Sequence, residues 1–268
     1  MGRYVYGPVL SRRLGWSLGI DVMPKLKTCT FNCVYCELGK TSTQGYVSKD
    51  FRYEFPPNFV EDFTNELRTK LIEHSAYIKS LTFGYNGEPT LQKYLDLAFD
   101  ISHKLRFDAG IDNRVPITIL TNASTLEFPE IREKLSNFDI VIAKLDAGAQ
   151  KIFKYVNLPH HSIPPLNKII ENLKQLKSEM KTGRKLYIQT LLYKVRLPTT
   201  IQSNATGDNI VAIANAINEI QPDQVQVYTV SRQPADPSVI PLTKFELIEL
   251  SDLMASNVKE LRDIYYFP

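Results

Sequence analysis

Cysteine is nearly absent from this 268-residue chain: there are three, all between positions 29 and 36. An odd number crowded into one segment, with no partner elsewhere, excludes a disulfide framework and points to reduced thiols gathered at a metal centre. Long apolar runs are missing too, and none approaches the ~18–20 residues that a bilayer span requires. The opening residues, MGRYVYGPVLSRRLG, have neither an apolar core nor a small-residue cleavage site, so no signal peptide is expected. Position 6 is Tyr, where myristoylation of Gly2 would ask for Ser or Thr. The expected location is cytoplasmic, with no membrane partner. Charge of one sign is also lacking: 32 Lys and Arg against 29 Asp and Glu leave a net +3. These charges are dispersed and neither demand nor exclude a nucleic-acid partner. Repeats, low-complexity tracts and Ser/Gly linkers are absent as well.

What is present is an alternation of short β-branched runs with longer segments of helical spacing. The runs at 17–23, 80–85, 116–121, 139–145, 185–192 and 224–230 predict strands that are near-continuously apolar, as in parallel strands buried on both faces. Between them, 59–74 places Phe59, Phe63, Leu67 and Leu71 four apart. Segments 91–107, 129–136, 165–180 and 208–220 read as helices too, with Pro129 and Pro165 where a first turn tolerates proline. A last helix is expected over about 243–262. Repeated β-then-α units imply a parallel sheet with right-handed crossovers. Periodicity leaves open a doubly wound sheet or a curved, incomplete (βα)6 barrel. In both, chemistry belongs at the carboxyl ends of the strands.

Cys29, Cys33 and Cys36 follow the first of these strands, spaced C-x3-C-x2-C. A structural zinc site takes four protein ligands, so here a distant His, Asp or Glu would have to complete it. A ferredoxin-like cluster wants a fourth cysteine. Three thiolates leave one iron of a cubane open to a substrate or cofactor.

The spacing, with Tyr35 before the last cysteine, resembles the signature of the radical S-adenosylmethionine (SAM) superfamily. That resemblance implies an incomplete (βα)6 TIM-like barrel of parallel strands with outer helices, spanning the chain as one domain. It would carry a short extension over about 1–16 and a [4Fe–4S] cluster on Cys29, Cys33 and Cys36. The cluster would cleave SAM reductively to methionine and a 5′-deoxyadenosyl radical. An electron donor of flavodoxin or ferredoxin type is implied as a partner. Further residues fit in order. Tyr35 would lie near the adenine. The turn Gly84-Tyr-Asn-Gly87-Glu88-Pro89-Thr90 resembles the family's Gly-Gly-Glu-Pro, with Gly87 and Glu88 at the cofactor's amino group and Asn86 in place of the first glycine. Thr121-Asn122-Ala123 resembles Thr-Asn-Gly. Gln189 with Thr190 and Arg232 complete the expected cofactor contacts, Arg232 at the carboxylate.

The flanks Tyr6–Gly15 and Tyr35–Gly39 resemble more narrowly a subgroup placed with wyosine-synthesis, tRNA-modifying Fe–S oxidoreductases. No cysteines remain for the second cluster those enzymes use. A barrel open on one side would suit a large substrate, RNA or a polypeptide. Two alternatives stand beside this, a glycyl-radical activase and a zinc-binding, non-catalytic α/β protein. Lys144 and Asp146 fit either an ion pair in the barrel mouth or a substrate contact. Arg12 and Arg13 fit a phosphate site or, more blandly, a solvated basic pair. Thr90 reads as a helix cap, and His160 and His161 as members of a loop that covers the site or meets substrate.

Overall fold

The computed structural model describes residues 3–23, 26–112, 114–260 and 263–268. Its strands are β1 (Val5–Ser11), β2 (Gly15–Ile20), β3 (Ser80–Phe83), β4 (Ile117–Thr121), β5 (Ile140–Lys144), β6 (Lys185–Leu192), β7 (Lys194–Val195), β8 (Gln224–Thr229), β9 (Val239–Ile240) and β10 (Ile264–Phe267). The helices are α1 (Phe59–His74), α2 (Leu95–Asp108), α3 (Pro129–Leu135), α4 (Gln150–Val156), α5 (Leu166–Glu179), α6 (Gly207–Ile220) and α7 (Lys244–Asn257). Eight strands form one sheet in the order β1-β2-β3-β4-β5-β6-β8-β10, parallel except for β1. This is an incomplete, TIM-like α/β barrel with outer helices. Its two edges come together where Arg12, in the β1–β2 turn, donates to the carbonyls of Thr229 and Phe267.

The strands alternate rather than reading apolar throughout. Leu18, Leu81, Ile117, Val141, Ile188 and Val225 face the helices and are fully buried. The register puts Ser17, Ser80, Thr82, Thr118, Lys144, Gln189, Gln226 and Tyr228 on the other, concave face. Polar side chains there bond one another: Ser17 Oγ lies 2.6 Å from Thr82 Oγ1, and Gln189 Nε2 donates to Gln226 Oε1 at 2.9 Å. The expectation of strands apolar on both faces therefore fails on the inner face.

Three expected boundaries change. The N-terminal extension contains β1, an edge strand whose first N–H group (Val5) and the two before it (Arg3, Tyr4) are taken by the Glu66 carboxylate of α1 at 2.9–3.2 Å. The segment expected as one helix over 91–107 breaks into a 3-10 turn, Pro89–Leu91, and α2. Gln92 causes the break, with its amide donating to Val22 O and its Oε1 accepting from Tyr94 N–H. The last helix stops at Asn257, whose side chain caps Leu253 O at 2.8 Å, and the chain returns as β10 beside β8. Residues 261 and 262 of the expected helix lie outside the described residues. No described helix is long and apolar enough to cross a membrane.

Candidate active site

The long connection from β2 to α1 carries the cysteines across the carboxyl ends of the strands. Backbone hydrogen bonds stitch it down on several sides. Thr28 exchanges bonds with Asn86 O and Glu88 N–H (2.9 and 3.0 Å), and Cys29 N–H donates to Gly45 O at 2.8 Å. Thr30 O accepts from His160 N–H at 2.8 Å, and Val34 N–H donates to Val156 O at 3.1 Å. Gly87 has φ +131°, and a Cβ there would meet Thr28 O at 1.7 Å. The close approach that requires glycine is thus made by the cysteine loop's own backbone.

All three cysteines are half-buried and unpaired. Cys29 Sγ accepts from the Phe31 N–H at 3.4 Å and from Asn122 Nδ2 at 3.5 Å. Cys33 Sγ accepts from Asn157 Nδ2 at 3.5 Å. Burial pushes the Cys29 thiol well up and the Cys33 thiol up to about 12, the latter also through its neighbour Cys36. Such thiols stay neutral unless a positive centre takes them as thiolates, which is what metal coordination does. Among the described residues no three His, Cys, Asp or Glu side chains gather as a single ion needs. Sulfurs sharing one zinc at ~2.3 Å lie within about 4.6 Å of each other, whereas a cubane spreads three thiolates over three irons. Three thiolate donors suit three irons of such a cluster.

Glu88 is 2% exposed. Its Oε1 accepts from the Thr90 and Thr121 hydroxyls (2.6 and 2.7 Å) and from Thr90 N–H, and its Oε2 from Asn122 N–H at 2.7 Å. Burial raises its pKa in spite of these bonds. Glu88, rather than Thr90, caps the 3-10 turn, and it also fixes the backbone of Asn122. Asn122 in turn reaches Thr30 Oγ1 at 3.0 Å as well as Cys29.

A second cluster lies under Tyr35. The fully buried Asp146 carboxylate takes Lys144 Nζ and Leu191 N–H on one oxygen, each at 2.8 Å. Its other oxygen accepts from the Tyr35 hydroxyl and from Asn157 Nδ2 at 3.1 Å. Lys144 and Asp146 are therefore an ion pair, and Lys144 also donates to Tyr228 Oη at 2.9 Å. Burial lowers the Lys144 pKa, but Asp146 and Tyr228 outweigh it and the net shift is upward. A cavity lined by Phe31, Asn122, Lys144, Asp146 and Asn157 joins the two clusters.

Of the expected site residues, Cys29, Cys33, Cys36, Tyr35 and Asn122 come together with Lys144 and Asp146, while Gly87 and Glu88 lie against the cysteine loop and Asn122. Gln189 sits beside Lys144 in register but within the strand, bonded to Gln226. Arg232 is exposed and paired at 2.6 Å with Glu37, the residue that follows Cys36. His160 holds Ser162 through Nδ1 at 2.9 Å, meets the Tyr46 ring edge-on and packs tilted against His161, so its loop is tied down beside the cysteines. Asn157 is the functional candidate that sequence reasoning missed, since an asparagine closing a short helix looks like an ordinary turn former.

A half-barrel with a three-thiol loop over its carboxyl end defines a class, and a family model for the radical SAM superfamily matches residues 23–194. The chain belongs to that superfamily, and is an enzyme whose cofactors are a [4Fe–4S] cluster and SAM. A UPF0026 protein of Helicobacter pylori is 34% identical over 248 residues, 92% of this chain and 72% of its own. A protein named GTPase Obg from Brachyspira hyodysenteriae is 32% identical over 258 residues, and the chain spans 34% of its length. Among solved structures, Streptococcus suis SuiB bound to SAM gives a TM-score of 0.59 at 14% identity, over 90% of this chain and 48% of that one. TYW1 with a lysine–pyruvate adduct bound gives 0.59 at 15%, over 90% and 74%. At such identities the likeness is one of fold.

Proposed function

We propose that Cys29, Cys33 and Cys36 hold the [4Fe–4S] cluster of this radical SAM enzyme, with one iron left for the cofactor. When bound, the pair supplies one-electron cleavage of SAM to methionine and a 5′-deoxyadenosyl radical, which removes a hydrogen atom from substrate and leaves as 5′-deoxyadenosine. The observation that carries the assignment is the set of three unpaired thiols in one loop, two of them accepting side-chain N–H groups at sulfur. Hydrogen bonds to cluster sulfurs stabilise added negative charge. Glu88 and Gly87 act through position, the one fixing Asn122 and the other seating the cysteine loop. Tyr35, held by Asp146, walls the adenine side, and Gln189 offers an amide on the concave face. Arg232, tied to Glu37 beside Cys36, is the candidate partner of the cofactor's carboxylate.

The electron comes from a donor of flavodoxin or ferredoxin type, and the free thiols suit a reducing, cytoplasmic setting. An RNA substrate has behind it the subgroup resemblance and a likeness of fold to TYW1, and the net charge of +3 adds nothing to it.

Anaerobically reconstituted protein, given dithionite and SAM, should release 5′-deoxyadenosine and methionine in equal amounts. Cys33→Ala should lose the cluster's visible absorbance and that activity together. Reconstituted protein that never yields 5′-deoxyadenosine would sink the reading.

A further inference from the structure

Four cations from three segments, Arg12 and Arg13 in the β1–β2 turn, Lys144 at the end of β5 and Arg232 after β8, gather where the two edges of the barrel meet, and three of them are engaged. Arg12 is pinned to the carbonyls of Thr229 and Phe267, Lys144 is paired with Asp146, and Arg232 with Glu37. Arg13 differs. Among the described residues no carboxylate reaches its guanidinium, which lies half-buried with Cζ 4.0 Å from the centre of the Tyr228 ring. Lys144 Nζ lies 4.6 Å from the same ring centre, so the two charges are within about 9 Å of one another. Two of the three Lys144 N–H bonds are used, by Asp146 and by the Tyr228 hydroxyl. The third remains for a ligand, as does the planar fork of Arg13.

The turn is built to present Arg13. Ser11 Oγ accepts from the N–H groups of Arg13 and Leu14 at 3.3 and 3.2 Å, and Arg12 ties the turn to the far edge of the sheet. The place of Arg13 over the tyrosine ring leaves its guanidinium partly stripped of water, which strengthens its hydrogen bonds to an anion. Lys144 Nζ also lies 5.2 Å from the ring of Tyr35, itself a residue of the cysteine loop.

We infer that Arg13, with Lys144 across Tyr228, forms an anion subsite that takes a phosphate group of the substrate. A tetrahedral phosphate offers paired oxygens to the unpaired arginine fork, and Lys144, whose charge Asp146 already balances, adds its third N–H as a donor to another oxygen. This rests on the radical SAM reading above, because the subsite gains its meaning from facing the radical source. The phosphate belongs to a nucleotide, free or within an RNA strand.

The test is calorimetric titration of the reconstituted protein with a 5′-mononucleotide, the corresponding nucleoside, a short single-stranded RNA and succinate. Wild-type protein should bind the mononucleotide at least about tenfold more tightly than the nucleoside or succinate, and Arg13→Gln should lose that preference. Arg13→Lys, which keeps the charge and the fold but not the fork, should fall between them. Tighter binding of RNA with a steep salt slope assigns the strand as source; equal binding assigns the free nucleotide. A mononucleotide bound equally by wild type and Arg13→Gln overturns the subsite. So does a parallel loss of SAM binding in that variant, which would give Arg13 to the cofactor. Wild-type release of 5′-deoxyadenosine is read separately, so the subsite can fail while the radical reading stands, and the reverse.

Discussion

The asparagines beside the thiols come from different segments, Asn122 just after β4 and Asn157 at the end of α4, yet each aims Nδ2 at a cysteine sulfur from 3.5 Å. An N–H directed at sulfur favours the electron-rich, reduced state, and this is one of the protein's levers on potential. Asn157→Leu keeps the bulk and removes the donor. It should lower the midpoint potential of the reconstituted cluster by tens of mV, on the order of the 59 mV that a tenfold change in a one-electron equilibrium represents. A redox titration followed by electron paramagnetic resonance measures this, and an unmoved potential removes Asn157 from the cluster's surroundings. Asp21, just past β2, supplies a pH signature. It is 6% exposed, and burial pushes its carboxyl up to about 6 against hydrogen bonds from Met23 and Asn86. The native state therefore binds this proton more tightly than the unfolded chain, whose carboxyl keeps the ordinary 3.8. Stability falls as pH rises between those values, and a penalty of at most about 3 kcal/mol stands in full above pH 6. Asp21→Asn should be more stable than the parent at pH 7.5 and lose that advantage by pH 4. Urea titrations at the two pH values check this; an equal difference at both refutes it.

At the scale of elements, what could be read from sequence was what local spacing controls. Helix α1 starts and stops where its four-residue apolar repeat does, because Phe59, Phe63, Leu67 and Leu71 bury one stripe against the sheet. The parallel strands were legible for the same reason, and so was the cysteine loop at a strand's carboxyl end. Elements fixed by distant partners were not. Strand β1 exists because β2 pairs with it and Glu66 satisfies its first N–H group, and nothing in VYGPVLS announces either. Helix α7 ends although its apolar spacing runs on toward Leu261, since the chain beyond it pairs with β8 as strand β10. The polar inner face was in plain view in QVQVYT, whose alternation signals one polar face rather than burial on both. The site divides in the same way. Cysteine spacing carried the chemistry, while the Asp146 knot, which joins residues 35, 144, 157 and 191, is a product of tertiary folding alone.

For the whole molecule, the consequential contact is the one that draws the two edges of the sheet together. A half-barrel open along one side was the ground for expecting a bulky substrate. Here the β1–β2 turn crosses that side and Arg12 hydrogen-bonds to the ends of β8 and β10. Tyr228 and Arg13 lie beside this strap, where β8 ends. Strand β10 pairs with β8 along one edge only and packs on α7, and the strap adds a further tie at Phe267. Charged donors to carbonyls contribute about 1.5–3 kcal/mol each. Arg12→Ala should therefore leave α5 and the β4–β5 core unchanged while the amides of residues 264–267 exchange at least about tenfold faster. Hydrogen–deuterium exchange read by mass spectrometry resolves this peptide by peptide. Unchanged protection at β10 would mean that pairing with β8 suffices, and that the barrel's side opens without cost. Faster exchange confined to β10 would make the strap a real closure, and a substrate too wide for the rim would then have to displace Arg12 before reaching the cysteine loop.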